Sequence, residues 1–230
     1  MKNGFTLVEL LVGIVIAMLC MIMMLMLFKQ ISKVSLESMQ DADYDTQIQT
    51  GSLIIQKLVQ NAGFGIDRSV NPTNIQDIQI VEINNKTSIY WRVLSSNPTD
   101  PTVTKKYTCE ALISENDVIN KEYKLFMLSY PDNCGPDLNP GTASLWADPT
   151  RYTKSPLISI RNPEITATTD PIFSFSLSDV PTGKNCTPYG ISENNPSGSK
   201  FVTVTAKSKE LAVKTVQQTI CLNNIFRSTV

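Results

Sequence analysis

The sequence predicts an α+β fold in which one long N-terminal α-helix packs on an antiparallel β-sheet head. Two observations support this prediction. Residues 5–28 are almost continuously apolar, and the first proline of the 230-residue chain is Pro72, so a long helix can form before it. After Gly65 the apolar residues recur every second position, which is typical of strands. A chain of this length can form one domain with a sizeable core and an additional long element.

The apolar segment 5–28 is long enough to span a membrane. As a helix it would extend about 36 Å, compared with a hydrocarbon thickness of about 30 Å. Lys2 precedes it, and Lys29 and Lys33 follow it. A cleaved secretory signal would be shorter and would end in small residues, which are absent here. We therefore expect this segment to remain on the mature protein as a transmembrane helix.

Residues 29–62 are expected to continue the same helix as an amphipathic stretch. Its apolar and small residues recur at steps of three and four, which places them on one face: Ile48, Gly51, Ile55, Leu58, Val59 and Ala62. Gly63 and Gly65 are predicted to end the helix. Gly13 and Gly51 are interpreted as tolerable weak points, each costing about 1 kcal/mol of helix stability. The amphipathic face should pack on the head.

The remainder of the chain reads as a β-rich head. Residues 77–83 and 87–94 alternate apolar and polar side chains on either side of a short polar stretch, which predicts a hairpin. Further strands are predicted at 105–113, 123–130, 157–161, 172–177, 201–207 and 216–226. Three loops rich in Pro, Asp, Asn or Gly, at 95–104, 131–149 and 181–199, could present a partner surface or could be plain connections.

The cysteine pattern predicts disulfides and an oxidising compartment. Cys20 lies in the apolar segment, and four cysteines lie in the head: Cys109, Cys134, Cys186 and Cys221. Zinc ligands usually come in close pairs, which this spacing lacks. Three pairings are possible; Cys109–Cys134 with Cys186–Cys221 is favoured because each closes a short loop. An oxidised head must be exported, which places the N-terminus in the cytoplasm.

Composition argues against an enzyme. The chain has no histidine, so it lacks the commonest general base and metal ligand. It has neither a G-x-S-x-G motif nor a glycine-rich phosphate loop, and we expect no catalytic residue and no cofactor. The stretch 132–139 offers oxygen ligands but lacks the order of a calcium-binding loop, so no metal is expected.

Nucleic-acid binding receives weak support. The 20 basic and 21 acidic residues give a net charge of −1, so there is no overall basic excess. Four lysines near the C-terminal strands could form a basic stripe for DNA, although a solvated surface is the favoured interpretation: Lys200, Lys207, Lys209 and Lys214.

Glu9 is the unexpected residue of the apolar segment. A charged side chain at the centre of a bilayer costs roughly 2.5–3.5 kcal/mol on insertion scales. The residues around it, Gly4-Phe5-Thr6-Leu7-Val8-Glu9, resemble the class III signal of type IV pilins and pseudopilins. The resemblance implies that a prepilin peptidase cleaves after Gly4 and that Phe5 becomes N-methylated. Glu9 is then one helical turn from a new α-amine, its own or a neighbour's, and we expect it to set register during assembly.

A second stretch narrows the resemblance. Residues 60–65, Gln-Asn-Ala-Gly-Phe-Gly, are similar to the turn that ends the long helix of PilW-type minor pilins, which are related to the J-type minor pseudopilins. The head of about 165 residues also favours a minor pilin. The resemblance implies a lollipop architecture with a leader at 1–4, a transmembrane helix at 5–28, its amphipathic continuation at 29–62 and a periplasmic head at 63–230.

The function that the resemblance implies is assembly. A minor type IV pilin of this kind would wait in the bacterial inner membrane, help to prime pilus growth and join a tip complex. Its partners would be the prepilin peptidase, other minor pilins and the major pilin, with a tip adhesin as a further candidate. The associated processes would be twitching motility and DNA uptake. Two alternatives stay open: a minor pseudopilin of type II secretion, and a fibre-tip module that binds DNA or surfaces.

Overall fold

The α+β class is confirmed. A computed structural model describes residues 6–66, 76–83, 86–96, 105–131, 134–135, 138–163, 165–166, 170–180, 186, 198–208 and 215–225. The chain forms two compact units, residues 1–43 and 44–230. Helix α1 runs from Leu7 to Val59, and the strands that follow it are all antiparallel.

The first unit contains the N-terminal part of α1. Every residue from Leu7 to Phe28 is exposed. By length and composition the helix can cross a membrane. Its apolar surface therefore has no covering within the described part of this unit, which is what a lipid-facing or subunit-facing segment requires.

The second unit contains two sheets. The strands β1 to β5 form a five-stranded sheet in sequence order, and β6 to β8 form a three-stranded sheet in sequence order. A short 3₁₀ helix, Ala143–Leu145, lies between β4 and β5. The bounds of the strands are β1 Ile78–Ile83, β2 Lys86–Ser96, β3 Lys106–Asp117, β4 Glu122–Tyr130, β5 Thr153–Arg161, β6 Phe173–Asp179, β7 Lys200–Lys207 and β8 Thr215–Leu222.

The predicted hairpin is present, and the predicted antiparallel strands divide into two sheets. Ile83 pairs with Lys86, so β1 and β2 are joined by the two residues between them. The sequence pattern does not assign strands to sheets; in the structure β6 starts the second one. Its Phe175 N donates to the Thr87 Oγ1 of β2 at 2.8 Å rather than pairing with β5.

Several strand ends differ from their predicted positions, the largest differences being four residues. β3 continues to Asp117 instead of ending at 113. β5 begins at Thr153 and includes Pro156, which is tolerated because β5 is an edge strand. β8 ends at Leu222, because residues 223 and 224 form a turn. The predicted residue 226 lies outside the described residues.

The main core lies between the head half of α1 and the two sheets. The predicted helix face is confirmed: Ile48, Ile55, Val59 and Ala62 are buried, Leu58 is half-buried, and Tyr44 and Ser52 join them. Side chains from both sheets complete this core, among them Trp91, Leu112, Leu125, Phe173 and Val204.

The structure corrects the interpretation of Gly51 as a weak point of the helix. A Cβ added at Gly51 would lie 2.6 Å from Phe173 Cζ and 2.7 Å from Ile158 Cδ1. The glycine therefore permits a close approach between α1 and both sheets.

The opposite face of the five-stranded sheet is covered by the chain between β4 and β5. Trp146 follows the 3₁₀ helix. Its ring packs at a tilt against Tyr90 and edge-to-face against Tyr130 and Tyr152. On the same side, the buried Arg92 forms an ion pair with the buried Asp77. The guanidinium also donates to Gly135 O at 2.7 Å and Leu138 O at 3.2 Å. A buried charge needs such partners, and here they fix the loop onto the sheet.

Candidate processing and assembly site

The predicted processing residues are only partly within the described chain. Gly4 and Phe5 lie outside the described residues, whereas Thr6 and Glu9 lie within them. The geometry of the site therefore begins at Thr6, one residue after the predicted new N-terminus.

Thr6 and Glu9 form a reciprocal helix cap. Thr6 N and Thr6 Oγ1 each donate to Glu9 Oε2 at 3.0 Å, and Glu9 N donates to Thr6 Oγ1 at a longer 3.4 Å. This is the arrangement of a capping box, in which the first residue and the acid three positions later satisfy each other's unpaired donors. This capping role is not among the roles predicted for Glu9 above, although the spacing Thr-x-x-Glu at the start of a helix is the sequence signal for it.

The cap holds the carboxylate at the N-terminal end of the helix. In an uncut chain the Phe5 nitrogen is an amide; cleavage after Gly4 would convert it to an amine. That nitrogen is three covalent bonds from Thr6 N, which already donates to the Glu9 carboxylate. An ammonium formed there would be a candidate partner for Glu9. The positive end of the helix dipole favours a carboxylate at this position as well.

Glu9 is also the one charged residue in the described apolar stretch 6–28. From Thr6 to Phe28 no other residue is charged, and the side chains around it are exposed aliphatic groups. In lipid or among packed helices an unpaired carboxylate is strongly disfavoured, so an ammonium partner would select one arrangement of helices.

The head contains two disulfides, Cys109–Cys134 and Cys186–Cys221. These are the pairings that the loop-length argument favours. The first joins β3 to the loop that carries Gly135, and so fixes one of the carbonyl groups bound by Arg92. The second joins β8 to Cys186 across a separation of 35 residues. Cys20 is free and exposed.

The glycine-rich turn after α1 has a structural reason. Gly63 and Gly65 have φ values of 76° and 72°, which L side chains rarely adopt. Gly63 N donates to Arg92 O at 2.9 Å, and Leu94 N donates to Phe64 O at 3.0 Å. The turn therefore hydrogen-bonds to the edge of β2 that also pairs with β1. These bonds fix the end of the helix to the five-stranded sheet.

The lysines considered for DNA binding give no basic surface within the described residues. Lys200 forms an ion pair with Asp179 at 2.8 Å, and Lys207 forms one with Asp170 at 2.6 Å. Lys209 and Lys214 lie outside the described residues, as do Asp132, Asn133 and Asp137 of the loop considered for calcium. The two described lysines therefore face carboxylates, which lowers their ability to attract phosphate.

Comparison with known protein families finds a match at the N-terminus of the chain. Residues 1–25 match the family model of the prokaryotic N-terminal methylation motif. No curated protein matches significantly. No solved structure matches significantly either. The matched motif contains the Thr6–Glu9 cap and the start of the exposed apolar helix. The chain thus carries the processing motif of type IV prepilin-like proteins, which indicates a type IV pilin-like protein or a pseudopilin.

Proposed function

We propose that this protein is a minor type IV pilin of the PilW type, which helps to prime pilus assembly and joins a tip complex with other minor pilins. The observation that carries the proposal is the methylation motif at residues 1–25, which leads into a fully exposed apolar helix. In this proposal the chain spans the bacterial inner membrane once, with its disulfide-bonded head in the periplasm, before it enters the fibre.

The head supports a minor rather than a major subunit. It contains two sheets and two disulfides, and its size of about 165 residues favours a minor pilin in this proposal. The turn at Asn61–Gly65, on which the PilW resemblance depends, is fixed to β2 through Gly63 and Phe64. The disulfides also agree with an exported, oxidised head.

A minor pseudopilin of type II secretion is the second candidate. The methylation motif is shared by both classes, and it covers residues 1–25 alone. A DNA-binding tip module is less favoured, because Lys200 and Lys207 are paired with aspartates.

Processing is tested by co-expression of the full chain with a prepilin peptidase, followed by intact mass measurement and N-terminal sequencing. We expect a mature chain that begins with methylated Phe5. A Gly4→Leu variant serves as the control and should stay uncut. An uncut wild-type chain would contradict the proposal.

The choice between a type IV pilus and a type II secretion system is tested by deletion of the gene in its own host. We expect loss of pili and of twitching while type II secretion stays normal, and plasmid-borne wild-type protein should restore piliation. Normal piliation with blocked secretion would instead identify a pseudopilin.

A further inference from the structure

A depression in the head lies where β6 begins and β7 ends. It has a volume of about 290 Å³. This volume is at the lower end of the range for small-molecule sites, so the depression suits a group the size of one ring. Six residues line it: Asp170, Pro171, Ile172, Ser174, Thr205 and Lys207.

Four of the lining side chains are polar. Lys207 Nζ donates to Asp170 Oδ2 at 2.6 Å, and both side chains are more than half exposed. An ammonium has three donors and a carboxylate has two oxygens, so this ion pair keeps hydrogen-bonding capacity for a ligand. Ser174 and Thr205 add hydroxyl groups, which can both donate and accept.

The backbone around the depression is fixed by contacts outside it. Lys207 N donates to Ile172 O at 3.4 Å, and Lys207 O accepts from the Tyr44 hydroxyl of α1 at 3.5 Å. Phe173 N donates to the Ser114 Oγ of β3 at 3.5 Å, which holds the start of β6. A site on strands fixed in this way needs little rearrangement when a ligand enters.

The depression adjoins an uncharged face of the three-stranded sheet. Ser174 and Thr205 belong both to the depression and to this face. The side chains of the face are exposed or half-buried, because their neighbours along each strand turn toward the core. Two cross-strand rows of hydroxyl and amide side chains form it: Ser174–Thr205–Gln217 and Ser176–Thr203–Thr219.

We propose that the depression and the two adjoining rows bind a neutral oligosaccharide. One sugar ring occupies the depression, with two adjacent hydroxyls on the Asp170–Lys207 pair and its C–H face against Pro171 and Ile172, which are buried. The next sugar units lie along the two rows. Such a site goes beyond the proposed role in assembly and does not depend on it.

The charges of the lining select a neutral ligand. Asp170 disfavours phosphate and other anions, and Lys207 disfavours metal ions and other cations. An apolar ligand would take four polar side chains out of water without replacing their hydrogen bonds. Sugar hydroxyls each donate and accept, so two neighbouring hydroxyls can accept from the ammonium and donate to the carboxylate together.

The two rows distinguish an oligosaccharide from a small zwitterion. An amino acid would also match the ion pair, but it would end within the depression and leave the rows unused. Hydroxyl and amide side chains recur there at the spacing of the strands, and they offer donors and acceptors without charge. A chain of neutral sugar units uses both the depression and the rows.

Binding is tested with the full chain in micelles of a zwitterionic detergent, which has no sugar headgroup to compete. The chain is screened on an array of neutral and sialylated glycans that includes maltotetraose, cellotetraose and chitotetraose. The neutral tetrasaccharide with the strongest signal and its monosaccharide are then titrated by calorimetry. We expect selective binding of neutral glycans, with the tetrasaccharide bound more tightly than the monosaccharide.

Three substitutions locate the site. Asp170→Asn should weaken binding roughly ten- to hundredfold, because a charge-assisted hydrogen bond is lost. Thr205→Val keeps the shape of the side chain and should weaken binding several-fold. Ser174→Trp should abolish it by filling the depression. The matched control is Lys200→Gln, which removes a lysine–aspartate pair at the other end of β7 and should leave the affinity unchanged.

Urea unfolding checks that each variant is folded, and glycine and a DNA oligonucleotide are titrated alongside the glycans. The absence of binding to every neutral glycan would overturn the inference, as would a preference for sialylated glycans, glycine or DNA. Wild-type affinity in the folded Ser174→Trp variant would also overturn it, because the ligand would then bind elsewhere.

Discussion

At the residue scale, Glu9 has two separable roles. Its carboxylate caps α1 through Thr6, and its charge could pair with the amine that cleavage would create. An uncharged glutamine keeps an oxygen for the cap but loses the charge. A threonine-to-valine change removes the hydroxyl but keeps the charge. These substitutions distinguish capping from ion pairing.

We predict that Glu9→Gln and Glu9→Val both strongly reduce incorporation of the protein into fibres, because neither supplies a charge for the ammonium. Cleavage after Gly4 should persist in both. The measurement is the amount of protein in sheared fibre preparations relative to the amount in membranes. Thr6→Val is the control and should cause a smaller loss. Fibre incorporation of Glu9→Gln at the wild-type level would show that the charge is dispensable.

Two carboxylates of the head should respond oppositely to pH. Burial raises the pKa of Glu110, whose Oε2 accepts a hydrogen bond from Trp91 Nε1 at 2.8 Å. Hydrogen bonds from Lys124 and from Asn120 hold the pKa of Asp117 well below its usual range. When folding raises a group's pKa, as for Glu110, the stability that the group contributes is lost as the pH rises from its unfolded-state pKa through its folded-state pKa. When folding lowers the pKa, as for Asp117, that stability is lost as the pH falls from the unfolded-state pKa through the folded-state pKa.

We therefore predict that Glu110→Gln stabilises the head slightly at pH 7, because it removes a desolvated charge while its amide oxygen can still accept from Trp91. The difference from wild type should shrink toward pH 4. Asp117→Asn should destabilise at pH 7, and that difference should shrink as the pH falls below 3. Urea unfolding of the full chain in detergent micelles, followed by tryptophan fluorescence, measures both. The same pH trend in both variants would contradict the assignment.

At the element scale, the contact between α1 and the sheets depends on Gly51. The absent side chain allows Phe173 and Ile158 to approach the helix, and an added methyl group would contact both within 2.7 Å. Helix propensity favours alanine by about 1 kcal/mol, whereas overpacking a core usually costs about 1–3 kcal/mol. The second effect should be larger because Phe173 is a fully buried ring, although Ile158 is only half-buried.

We predict that Gly51→Ala lowers the free energy of unfolding by up to roughly 2 kcal/mol, the overpacking cost less the gain in propensity. The matched control is Gly13→Ala, because nothing lies within 4 Å of a Cβ added at Gly13. That variant should leave the head unchanged. Urea unfolding in micelles measures both, and greater stability of Gly51→Ala would show that the interface adapts.

At the scale of the whole molecule, the disulfides fix the segments that the sheets do not hold. Cys109–Cys134 closes a loop with a separation of 25 residues, and Cys186–Cys221 one of 35. The chain-entropy model assigns about 3–4 kcal/mol to loops of these lengths. For a head of this size that is a large fraction of an ordinary folding free energy.

We predict that replacing Cys109 and Cys134 together by serine destabilises the head by about 3–4 kcal/mol. The loop that carries Gly135 would then be free to leave Arg92, which would expose the buried ion pair. Near-ultraviolet circular dichroism during urea unfolding reports this change. Cys20→Ala is the control and should have no effect on the head. An unchanged unfolding midpoint in the double variant would contradict the role of the disulfide.

Much of the architecture could be predicted from local pattern. The apolar segment, the amphipathic face with Ile48 and Ile55, and the β1–β2 hairpin all follow from periodicity, because side-chain direction is fixed by backbone geometry. The strand ends and the division into two sheets could not be predicted as well from the sequence. Whether β6 pairs with β5 or lies beside β2 depends on contacts between residues distant in the sequence, such as Phe175 with Thr87.

The sequence by itself determined the processing motif and the long helix with its apolar segment, since these depend on residues close together in the chain. The Thr6–Glu9 cap belongs with them, because its two residues are three positions apart. Only the tertiary structure decided that Gly51 is a contact point, that Gly63 and Phe64 fix the helix end to β2, and that Lys200 and Lys207 face aspartates. These properties arise when side chains far apart in sequence meet, and no local pattern specifies which ones will.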